Sequence, residues 1–298
     1  MTINATGGSI TLSGTNTYSG STTISAGTLS VSGSLSNSTA VTVSSGATYN
    51  VNASQTIGSL AGAGNVSTST SGAKTLTVGN DNSSTSFSGI ISNGSGSLAL
   101  TKTGSGTFTV SGNNTYTGAT TISAGTLKFA PSSGFTMILS GNVTNNSNVE
   151  YEGANSSVLF LDGAISGSGT WLVNSASSNA TFTNRLVFRG ATTTSGQVTV
   201  TNFGNFWLEG SSVNSTSAIY LNGVNTYLRV YGAEGTTIRA GTVTGNGTVD
   251  FSAGGGGKAL SLSVGNDNGS GTFSGQISNS GVDSGPTVLS IIKVGTGT

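Results

Sequence analysis

Apolar and hydroxyl-bearing residues alternate along this chain in short pieces. Thr11-Leu12-Ser13, Val41-Thr42-Val43, Tyr49-Asn50-Val51, Leu98-Ala99-Leu100, Phe108-Thr109-Val110 and Val198-Thr199-Val200 each put apolar side chains on one face of a strand and polar ones on the other. Gly and Asn turns separate the pieces, and helix signals are missing. Strands this short, with turns this frequent, do not suit a large sandwich. The pattern predicts an all-β coil in which each rung pairs with the next through parallel backbone hydrogen bonds.

The central segment sets the period of that coil. Leu186 and Phe188, Phe206 and Leu208, Leu228 and Val230, and Val249 and Phe251 are apolar pairs two apart, and they recur at the short, steady interval of a solenoid rung. If these point inward, alternation turns Arg185, Trp207 and Arg229 outward as one column and Val187, Glu209 and Tyr231 as a second. An arginine above and below an indole makes cation-π contacts of about 0.5–1 kcal/mol each at an exposed site. Arg185, Trp207, Tyr227, Arg229 and Tyr231 are therefore the expected ligand-binding surface, of a kind suited to a glycan or another protein. At ~22 residues per rung the chain would hold roughly 13 rungs and reach on the order of 60 Å.

Two motifs recur over longer distances. Ser9 to Leu29, SITLSGTNTYSGSTTISAGTL, returns as Thr107 to Leu127, TFTVSGNNTYTGATTISAGTL. Thr75 to Ser92, TLTVGNDNSSTSFSGIIS, reappears as Ser261 to Ser278, SLSVGNDNGSGTFSGQIS, and each copy is followed by a lysine block, LTKTGSGT at Leu100 to Thr107 and IIKVGTGT at Ile291 to Thr298. One folded unit written twice predicts a repeat architecture. The last block opens a further repeat, so the chain is expected to be a fragment of something longer.

Charge is scarce, with 9 Lys and Arg against 9 Asp and Glu in the whole chain. That leaves no basic footprint for nucleic acid and no Lys/Arg cluster for an anionic membrane. Cysteine and histidine are both absent, which removes disulfides, thiolate metal sites, cysteine nucleophiles and imidazole chemistry together. We expect no enzyme, cofactor or metal centre. No stretch approaches the ~20 apolar residues that cross a bilayer as a helix.

Composition divides the chain into zones. All four arginines, all four glutamates (Glu150, Glu152, Glu209, Glu234) and both tryptophans lie between residues 150 and 239, while every lysine lies outside. We expect one continuous β-helix over 1–298, with repeat-bearing zones at 1–130 and 240–298 and divergent central rungs at 131–239. Pro131 marks the first boundary, and Gly254 to Gly257 reads as a flexible turn on the far side.

The Leu100–Leu127 block, its partial copy at Ser9–Leu29, and the paired VGNDN and FSGIIS or FSGQIS elements resemble the autotransporter-associated β-strand repeat, also called the passenger-associated transport repeat. The resemblance covers residues 7 to 31, 57 to 129 and 259 to 298. It implies a right-handed parallel β-helix, or β-solenoid, secreted to the extracellular side or displayed at the bacterial cell surface as an autotransporter passenger. It further implies an outer-membrane translocator barrel in the parent protein and an adhesin-like role, with the β-helix as stalk and as a surface for weak adhesion or self-association. The family supplies no catalytic residues. The alternatives are a self-assembling surface-fibre subunit and a polysaccharide-processing β-helix enzyme.

Three local patterns admit a sharper chemistry. Glu150 and Glu152 sit two apart on one strand face, as paired carboxylates do in polysaccharide-cleaving β-helices, but no third acid is placed beside them and a solvated face is the preferred reading. The GNDN runs at Gly79–Asn82 and Gly265–Asn268 are similar to a calcium-binding nonapeptide turn. Each stands alone, however, which favours a turn closed by Asn and Asp bonding to backbone. The threonine triplets do not recur at rung spacing, which argues against an ice-binding face. The N-x-S/T triplets follow from composition.

Overall fold

The computed structural model describes residues 1–176, 184–210, 215–232, 236–253, 259–279 and 288–298. Glu234 and the Gly254–Gly257 turn lie outside them. Every strand pairing in the described residues is parallel and none of them is helical. The described residues form a β-solenoid of about eleven turns. It falls short of the expected number because turns vary in length and several exceed the expected period. A short one carries the register from Thr48 to Asn65, and longer ones carry it from Val158 to Arg185 and from Ala259 to Val288.

Two compact units make up the chain, one of Met1–Ser132 with Met137–Asn148, the other of Ser133–Thr136 with Val149–Thr298. In the first, the long strand Thr22–Val31 pairs along its first half with Ala40–Val43 and along its second half with Thr48–Val51. Another stack runs Gln55–Thr56, Lys74–Val78, Leu98–Lys102, Thr120–Ile122 and Val143–Asn145. Alternation fills the interior. Ile24, Leu29, Val31, Val43, Tyr49 and Val51 are all 0% exposed. Burial also pushes the Tyr116 hydroxyl up to about 12, although its hydrogen bond to Thr120 pulls the other way. The same Tyr–Thr bridge, at 2.8 Å, closes Tyr18 onto Thr22 and Tyr116 onto Thr120, so the repeated sequence folds into a repeated turn.

The second unit stacks Thr170–Ser175, Val198–Thr201, Ile219–Asn222 and Val243–Gly245 as one sheet. A second sheet stacks Val158–Leu161, Arg185–Phe188, Asn205–Glu209, Tyr227–Gly232, Thr248–Ala253 and Gln276–Ser278. Leu186, Phe206, Leu228 and Val249 align in register and point inward, as their spacing predicts. Edge-to-face rings reinforce that interior, with centroids 4.9 Å apart for Trp171 and Phe188 and 4.8 Å for Phe188 and Phe206.

The GNDN runs are turns. Asn82 and Asn268 take left-handed φ values of 61° and 58°, and Asn82 N–H and Asn268 N–H bond the carbonyls of Gly79 and Gly265. Asp81 accepts from Ser83 N–H and Oγ–H, and Asp267 accepts from Gly269 N–H and Thr242 Oγ1–H. Burial pushes both carboxyls up, but these hydrogen bonds outweigh it and hold both below the usual carboxylate range. A folded value depressed below the unfolded one contributes stability above about pH 4 and loses it as pH falls through the folded value. Melting temperatures followed by circular dichroism should therefore drop between about pH 5 and pH 2. The drop should be shallower in the Asp81→Asn, Asp267→Asn double variant.

Candidate functional site

The outer face of the second sheet holds the arginines and aromatic rings that the sequence singles out. Alternation sends Leu186 and Phe188 inward, so Arg185 and Val187 face out, as do Val158, Phe160, Trp207, Arg229, Tyr231 and Asp250 from neighbouring strands. Val158, Phe160 and Val187 form a small apolar cluster outside the coil, with Trp207 packed against it. The Arg185 guanidinium lies 4.4 Å from the Trp207 ring and that of Arg229 4.8 Å from it, while Arg189 sits 3.4 Å over Phe160. Tyr231 stacks on Trp207 with centroids 6.2 Å apart and planes at 29°.

Charges here are matched. Arg189 pairs with Asp162 at 3.8 Å and Glu209 at 3.3 Å, and Arg229 pairs with Asp250, whose Oδ1 also accepts from Ser278 Oγ–H at 2.6 Å. Burial holds the Arg185 guanidinium below its usual value, against the opposing pull of Glu209 and Tyr151. Tyr151 is itself pushed up to about 12 by burial, and its hydroxyl donates to the Ser157 carbonyl at 2.8 Å.

The structure brings the sequence-predicted residues together and corrects their arrangement. The expected column of Arg185, Trp207 and Arg229 assumed rungs of constant length, but Trp207 lies opposite Val187 and not opposite Arg185. The true columns are Phe160, Val187, Trp207, Arg229 and Asp250, and beside them Glu209, Tyr231 and Ser252. The indole is still held between two guanidiniums, because Arg185 reaches it diagonally. Arg229 and Val187 are not surface residues: they are 2% and 0% exposed, covered by neighbouring side chains on the same face. Arg185, Trp207, Tyr227 and Tyr231 remain half-buried, with Tyr227 in register between Asn205 and Thr248. Sequence reading missed Phe160 and Asp250. The alternation of Val158-Leu159-Phe160-Leu161 is hidden because all four residues are apolar, and the Asp250 carboxylate shows its role only through the rung that pairs it with Arg229.

Glu150 and Glu152 alternate with buried Val149 and Tyr151 and so share an outer face, half-exposed. Among the described residues no three His, Cys, Asp or Glu side chains cluster as metal ligands. The outer sheet face gathers an indole, two phenols and a guanidinium, all half-buried.

Comparison with known families gives one match. The passenger-associated-transport-repeat model matches residues 7–31 and 100–129. These are the two copies closed by the Tyr18–Thr22 and Tyr116–Thr120 bridges. Neither the curated proteins nor the solved structures give a match to this chain.

Proposed function

From a chain that carries two passenger-associated transport repeats on a parallel β-solenoid, we propose a structural segment of a bacterial autotransporter-type passenger, with the β-helix as its stalk at the cell surface. The observation that carries this reading is the family match, on two turns that the chain builds with the same internal bonds. Parallel stacking suits export, since each turn adds to a finished edge through local closure and no disulfide has to form. A translocator barrel in the parent protein belongs to the same proposal.

Within that stalk, the Arg185, Trp207, Tyr227 and Tyr231 face is proposed to bind glycans or another cell-surface ligand weakly. Its support is the gathering of half-exposed aromatic rings and arginines on one sheet, since a sugar stacks its C–H face on a ring and hydrogen-bonds to guanidinium and phenol. Tyr227→Ser and Arg185→Gln should each lower binding to a glycan array several-fold while changing the melting temperature little. Wild-type protein that binds no glycan, or variants that bind as it does, would remove the ligand role and leave the stalk alone.

A further inference from the structure

One outer column of the first unit is built from a single residue type. Thr56 pairs with Thr77, Thr77 with Thr101, Thr101 with Thr121 and Thr121 with Thr144, so successive turns set threonine over threonine. The residues that alternate with them, Leu76, Leu100 and Ile122, are buried in the coil, whereas Thr56 is exposed and the other four threonines are half-buried. The interval between these threonines changes at every step, so the column shows no fixed period in the sequence. The Thr68–Thr70 and Thr192–Thr194 triplets take no part in it.

The surroundings leave this column open to solvent. Thr75, Ala99 and Ala119 stand on one side and Gly79, Thr103 and Ser123 on the other, none of them larger than threonine. The lysines of these strands, Lys74 and Lys102, fall in phase with Leu76 and Leu100, so the face carries no charge. Among the described residues, the hydroxyls of Thr56, Thr77, Thr101 and Thr121 make no hydrogen bond to the protein. The outer row of Ser30, Asn50 and Ser67 differs, since Asn50 Nδ2–H donates to Ser30 Oγ at 3.4 Å and Ser67 Oγ–H to Asn50 Oδ1 at 2.8 Å. That row satisfies itself, while the threonine column turns its hydroxyls to water.

Parallel rungs repeat at about 4.8 Å, close to the repeat of oxygen positions along one axis of hexagonal ice. Hydroxyls at that interval anchor first-shell waters at the same interval. The methyl groups beside them offer water no bond and leave it to bond to its own neighbours in a cage. Threonine is stiff at χ1, so the array is set by the backbone ladder before anything binds.

We propose that the column from Thr56 to Thr144 is an ice-binding face, whose ligand is the surface of an ice crystal joined through the waters that the threonines order. A crystalline polysaccharide would call for aromatic rings on which sugars stack, and these three columns hold none. The proposal concerns the first unit and is independent of the glycan reading.

Ice-affinity partitioning of the full-length protein tests it. A dilute solution is frozen slowly onto a cold surface, and protein is measured in the ice and in the remaining liquid. Wild-type protein should concentrate in the ice several-fold over serum albumin. Thr101→Lys, at the middle of the column, should fall to the albumin level with an unchanged melting temperature, and Thr77→Tyr supplies the same test if that variant does not fold. Thr199→Lys, at a half-buried outer position of the second unit, should partition as the wild type does. Wild-type protein at the albumin level would overturn the proposal, as would folded column variants that enter ice unimpaired or a Thr199→Lys variant that loses capture. Dimerisation of the wild type that Thr101→Lys abolishes would instead assign the face to a second copy of the chain.

Discussion

Replacing Arg229 by methionine should lower stability by about 3–5 kcal/mol, the range found when one partner of a buried ion pair is removed. Asp250 is 0% exposed and Arg229 only 2%, so the substitution takes away the guanidinium that faces a carboxylate out of reach of bulk water. It also removes one of the two cations over Trp207. The second half of the prediction tests the cause. With Asp250→Leu added, most of the loss should be recovered, because an apolar pair of similar volume avoids the desolvation of both charges. Urea melts of the single and double variants provide the measurement. A single variant as stable as the parent would show that Asp250 is compensated by other neighbours.

Lys102→Met should be nearly as damaging, at about 3 kcal/mol, while Lys293→Met, at an exposed position, should change little. The Lys102 ammonium is enclosed by three carbonyls, those of Thr103, Gly104 and Ala124, and methionine fills the space without donating to any of them. Around it the chain has no room to adjust. Gly125 has a left-handed φ of 65°, and a side chain there would collide with the Gly104 carbonyl and approach Lys102 Nζ to 2.8 Å. Burial lowers the Lys102 pKa, against the pull of Asp81. A lysine whose folded value lies below its unfolded one destabilises the fold fully below the folded value, and that penalty fades as pH rises toward the unfolded value near about 10.4. Unfolding free energy in the parent should therefore climb over the last units below about pH 10, a slope that Lys102→Met removes.

The interior of the coil was legible in the sequence because it depends only on alternation and spacing. Leu186 and Phe188 predict Phe206 and Leu208 on the next turn wherever the turn begins, since apolar pairs two apart find one another in register. The outer face was legible only in part. Alternation says which way Arg229 and Val187 point, but their burial comes from Phe160, Trp207 and Asp250 on other rungs, and a small difference in turn length changes which of these are neighbours. The lysine corner was not legible at all. Lys102 reads as one more polar residue on a strand, and its role depends on Ala124, far along the chain, arriving with its carbonyl aimed at the ammonium. The recurrence of the lysine blocks is plain in the sequence, but nothing in their composition shows why a lysine is placed there.

Turn length differs widely between Thr48–Asn65 and Ala259–Val288, over a strand register that stays parallel and aligned, and this separates two kinds of heritable change. Substitutions in the strands are constrained by the packed interior, whereas insertions at the corners alter only the length of chain between fixed points. Doubling a flexible loop costs roughly 0.6 kcal/mol in closure entropy. A solenoid of this kind can therefore acquire new outward loops, one corner at a time, without renegotiating its core, and diversification of what the surface displays can proceed independently of the scaffold that displays it.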